Sequence, residues 1–200
     1  MHEPLLTKTL TDLRAQILGW GIGMGLLLLL TVLLYPSISS AYGDLVNQLP
    51  EHFLAFMGAE VSLDTLEGYL NAEFFTYAPM ALAVFPILAG TGSIVGEENQ
   101  GTLDILLAQP VSRLRLIVIK MAGLALANGM VVAILLVMFW VAVPFLDLEV
   151  KAGRIMGAFA LLWPFLTAIA FLSVLLSLML SSRLLAGTVM AVILVASYIL

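Results

Sequence analysis

Charge is what this chain has least of. Of its 200 residues, 8 are Lys or Arg and 13 are Asp or Glu, 10% in all, against about a quarter in an ordinary soluble domain. So few charged side chains cannot coat a water-facing surface, and a mean hydropathy of +1.12 points to lipid as the solvent. Cysteine is absent, which excludes a disulfide framework and a thiolate metal site. The net charge of −5 leaves no broad basic face, so nucleic acid is not an expected partner. Other absences are specific. There is no GxxxxGK[ST] phosphate loop, so the chain is not expected to be an ATPase, and there is no HExxH. Thr91-Gly92-Ser93-Ile94 does not fit GxSxG. His2 and His52 stand in polar segments without ligand spacing. No catalytic residue, metal or cofactor is expected of this chain.

What is present is long apolar runs. Crossing a hydrocarbon core takes roughly 20 apolar residues as helix. Five stretches qualify or nearly so, at about 17–35, 74–95, 115–143, 155–180 and 184–200, and none has an acid or base in its interior. Lys120 lies within the first two turns of the third, where it can snorkel to the interface. Ahead of the first run, Leu6, Leu10, Leu13 and Ile17 follow helical spacing, with Thr7, Lys8, Thr11, Asp12 and Arg14 on the other face. This predicts either an amphipathic helix on the membrane surface or an ordinary polar cap on the span. A cleaved signal peptide is disfavoured, because the apolar run is too long and Glu3 and Asp12 precede it. The expected fold is therefore an all-α, polytopic helical membrane protein. It forms one domain over 1–200, with an interfacial helix at 1–16, an outer loop at 36–73, a cytoplasmic loop at 96–114 and five spans. Pro50, Gly58 and Gly68 are expected to break or turn the outer loop.

Orientation follows from basic residues in short loops. With the N-terminus cytoplasmic, Lys8, Arg14, Arg113, Arg115, Lys120 and Arg183 lie inside, and only Lys151 and Arg154 outside. The segment 36–73 has no Lys or Arg, but carries Asp44, Glu51, Glu60, Asp64, Glu67 and Glu73.

Three features inside the spans invite a packing reading. Gly19, Gly21, Gly23 and Gly25 make two overlapping GxxxG pairs, suited to close helix approach within the subunit or between two subunits. Pro79, Pro86, Pro144 and Pro164 are expected to kink spans or mark their ends. Asn128 is the strongly polar side chain deep in a span, fit for an interhelical hydrogen bond or a substrate contact.

The sharpest motif is GEENQGTLDILLAQPVSRLRLIVIK at 96–120. Gly101 and Thr102 can open a short helix, Pro110 ends it, and Ser112 has N-cap chemistry for the next span. The residues alone allow either a juxtamembrane turn or a docking element. The run Glu97-Glu98-x-x-Gly101-Thr102-Leu103-Asp104-x-Leu106-Leu107-Ala108-x-Pro110-Val111-Ser112-Arg113, with Lys120 seven further on, resembles the permeases of type 2 ABC transporters. Glu67-Gly68-Tyr69-Leu70 through Phe74-Phe75 is similar to the same family. The resemblance implies a coupling helix that docks into a cleft on a separate ABC ATP-binding subunit, which binds the ATP. Glu97, Glu98, Gly101, Thr102, Leu103, Asp104, Leu106, Leu107, Pro110 and Arg113 would be contact or positioning residues. It further implies an exporter subunit in the cell membrane, paired with a second permease subunit as homo- or heterodimer. Such permeases have six spans and five are visible here, so the final span is expected to be missing or supplied otherwise. A non-transporting assembly or anchor protein and an ion-coupled secondary transporter are the alternatives. The empty span interiors speak against the second of these.

Overall fold

In the computed structural model of the chain, residues 5–46, 65–93, 113–146, 150, 152–180 and 182–199 are described. They form α1 (Leu5–Val46), α2 (Leu66–Leu70), a π-helical turn (Asn71–Phe75), α3 (Ala78–Leu82), α4 (Val84–Gly92), α5 (Arg113–Ala142), α6 (Ala152–Met179) and α7 (Arg183–Ile199), with no strand among them. A short 3₁₀ turn (Val143–Phe145) containing Pro144 ends α5. The all-α, polytopic membrane architecture is thus present. Three helices are long and apolar enough to cross a membrane, and a fourth span exists if α2–π-turn and α3–α4 are counted as one path bent by 42°. The described part of the expected fifth span, α7, has 17 residues. At 1.5 Å per residue it is about 26 Å long, just short of a typical hydrocarbon core of about 30 Å.

α1 departs most from expectation. It is one helix of 42 residues, roughly 63 Å long. No break separates residues 5–16 from the span, and the helix continues through Pro36 into the segment expected to be loop. Proline is tolerated in a membrane helix where local donors and neighbours absorb the lost bond. Its buried positions, Ile17, Gly21, Gly25, Leu28, Val32 and Tyr35, recur every three or four residues and form one narrow stripe. The other faces carry Leu18, Leu26, Leu30 and Leu33, each exposed. Such leucines are at home against lipid.

That stripe seats on α5. A Cβ on Gly123 would touch Thr9 and Leu6, one on Gly21 would touch Ile134, and one on Gly25 would touch Met138. The partners ascend together along both helices, so α1 and α5 run parallel. α3–α4 and α6 also run parallel to each other: Phe75 stacks edge-on against Phe159 at 5.3 Å, and Gly90 meets Ala170 and Ser173 further along. α6 packs against α5, α4 and α7. Trp163 of α6 donates its indole N–H to the Ala125 carbonyl of α5 at 2.8 Å. The bare backbone of Gly129 beside the indole leaves room for the ring.

The second path is broken for local reasons. Both the amide and the hydroxyl of Thr76 donate to the Asn71 carbonyl, five residues back. Pro79 then follows in the first turn of α3, where its missing N–H is harmless. Gly68, expected at a turn, is helical instead, and its amide donates to the capping Thr65 hydroxyl. Pro86 sits near the start of α4, and Pro164 lies inside α6. Pro50 and Gly58 fall outside the described residues.

Candidate functional site

Residues 94–112, which hold the docking motif, lie outside the described residues. So do nine of the ten docking residues named from the sequence: Glu97, Glu98, Gly101, Thr102, Leu103, Asp104, Leu106, Leu107 and Pro110. Ser112 and Gly96 fall outside as well. Arg113 opens α5. What the structure does describe is the stem of that loop, from the last turn of α4 to the first turns of α5.

The end of an α-helix leaves backbone carbonyls without intrahelical partners, and the end carries partial negative charge. At α4 donors from three other helices meet this end, two at its terminal carbonyls and one at the Leu88 carbonyl a turn earlier. Lys120 of α5 donates its ammonium to the Ser93 carbonyl. Ser177 of α6 donates its hydroxyl to the Thr91 carbonyl at 3.2 Å. Arg183 of α7 donates to the Leu88 carbonyl at 3.3 Å. The chain's own Ser93 hydroxyl and amide both donate to Gly90, at 2.7 and 3.2 Å. Two of the three outside donors are cations, the sign that a helix C-terminus favours.

Lys120 reaches the loop-side end of the bundle, the direction expected of it, but is buried there at 8% exposure. Its chain is turned into the bundle, where a carbonyl 27 positions earlier accepts its proton. Arg183 reaches α4 across Gly92, whose absent Cβ would lie 2.9 Å from the guanidinium Nη2. In the sequence, Lys120 stands out as an edge-of-span cation and part of the loop motif, Arg183 only as an orientation charge, and Ser177 not at all. The available signal was a cation at the edge of each apolar run on the side of the loop.

The glycine run divides into two faces. Gly21 and Gly25 are buried against Ile134 and Met138, while Gly19 and Gly23 have nothing within 4 Å of where a Cβ would sit. Gly21 and Gly25 therefore serve packing inside the subunit. Asn128 does not make the expected interhelical hydrogen bond. It is 1% exposed, and among the described residues neither its amide nitrogen nor its oxygen has a partner.

Several long apolar helices, with one loop stem tied at a single end of the bundle, define a polytopic helical membrane protein. The model of the family described as ABC-2 family transporter protein matches residues 4–200. The chain belongs to that family and is a permease-type membrane protein. No curated protein and no solved structure matches it.

Proposed function

We propose that the chain is the membrane-spanning subunit of an ATP-driven exporter in the cell membrane, with its N-terminus and residues 96–114 in the cytoplasm. ATP is bound and hydrolysed by a separate ABC ATP-binding subunit, and a second permease subunit completes the pathway. The observation that carries this reading is the family match over 4–200, joined to the docking motif within that range. Leu103, Leu106 and Leu107 supply the apolar face that inserts into the ATPase. Glu97, Glu98, Asp104 and Arg113 set its register, as in other helix-in-groove contacts.

The test is co-purification of the chain with a co-expressed ABC ATP-binding subunit from the same genome, comparing wild type with Leu106→Glu and Leu107→Glu. A charge placed on an inserting face costs its desolvation, so both variants should lose the ATPase while remaining inserted in the membrane. Retention of the ATPase by both variants would overturn the docking reading.

A further inference from the structure

α4 is the last described helix before residues 94–112, and donors from three separate helices converge on its last two turns. Ser177 is 3% exposed, and Thr91, whose carbonyl it caps, is 1% exposed. Polar groups in such a place interact more strongly than in water, and leaving them unpaired is costly. The charged donors add strength beyond that of neutral hydrogen bonds. Lys120 also joins the two sides of the loop to each other: its carbonyl partner precedes the loop, and its own helix follows it.

We propose that Lys120, Ser177 and Arg183 are positioning residues for the docking loop. They clamp its stem so that a displacement imposed on the loop is passed to α4, α5, α6 and α7 as one body. None of the three needs to touch the partner. The proposal rests on the docking reading and deepens it, because it assigns the transmission step to residues outside the loop. Gly92 belongs to the same device, since its bare backbone admits the Arg183 guanidinium to the helix end.

The experiment uses the full chain assembled with its ATPase in lipid nanodiscs. Spin labels are placed on cysteines at Tyr77 and Phe145, which are 65% and 74% exposed at the end of the bundle away from the clamp. The label-to-label distance is compared between nucleotide-free and vanadate-trapped complexes. Wild type should shift on trapping. Lys120→Met and Gly92→Leu should keep the ATPase bound and hydrolysing, yet lose the shift, and Lys120→Arg should restore it. Gly92→Leu leaves all three donors in the sequence and displaces only the guanidinium, so it stands if Lys120→Met does not fold. A merely structural role would lower thermal stability without separating hydrolysis from the far-end shift. The clamp proposal is overturned if Lys120→Met and Gly92→Leu shift as wild type does, or if the wild-type distance ignores nucleotide. Failure of the wild-type chain to hold the ATPase is a different result and removes the docking reading itself.

Discussion

A Cβ on Gly90 would lie 2.8 Å from the carbonyl oxygen of Ala170, and equally close to the Cβ of Ser173. α4 and α6 are thus in backbone contact within the clamped helix end itself. Lipid tails are as apolar as leucine, so membrane helices associate through such close packing rather than through expulsion of water. Gly90→Ala has only rigid atoms to displace and should cost about 1–3 kcal/mol, the usual penalty for overpacking. The measurement is the unfolding midpoint in mild detergent. Gly157→Ala in α6 is the control, because open space surrounds that glycine. Equal midpoints for the two variants would contradict the contact.

The two faces of the glycine run predict opposite behaviour. Gly21→Leu and Gly25→Leu push a side chain into Ile134 and Met138 of α5, and both should destabilise the subunit strongly. Gly19→Leu and Gly23→Leu point into open space and should leave the subunit's midpoint unchanged. If all four fall together, the division into an inner and an outer face is wrong.

The absence of cysteine makes the topology directly readable. Leu6, Ser93, Lys120, Ser177 and Arg183 gather toward one end of the bundle, through the contacts to Gly123, Thr91, Leu88 and Gly92. Single cysteines at Ser40, near the far end of α1, and at Leu184, at the start of α7, should therefore react with an impermeant maleimide from opposite sides. In intact cells only the Ser40 variant should label. Labelling of Leu184 from outside would reverse the proposed orientation.

Long apolar runs were legible because lipid leaves a spanning segment little choice but helix. α5 and α6 accordingly begin and end within three residues of the expected 115–143 and 155–180. α1 runs past residue 36, where the outer loop was expected to begin, because proline's missing donor stops a helix in water more surely than in a membrane bundle. The glycine faces could have been separated in advance: residues two apart on an α-helix point about 200° apart, so Gly19 and Gly21 cannot both face the same neighbour. Lys120 was not legible. Whether a lysine at the edge of a span turns to water or inward depends on a free carbonyl nearby, and that of Ser93 is brought there by the fold alone.

Asn128 offers the test with the least intuitive sign. Its amide is buried in α5 with both polar atoms unpaired among the described residues, and Thr167 of α6 likewise has an unpaired buried hydroxyl oxygen. A buried donor or acceptor without a partner costs about 1–3 kcal/mol, whereas an apolar group of similar shape carries no such penalty. Asn128→Leu should therefore raise the unfolding midpoint of the permease in detergent. Asn128→Ala should gain less, because it removes the polar atoms but leaves a cavity that costs packing. A fall in midpoint for Asn128→Leu would mean that the amide is satisfied in the folded protein, and the cost argued here would not exist.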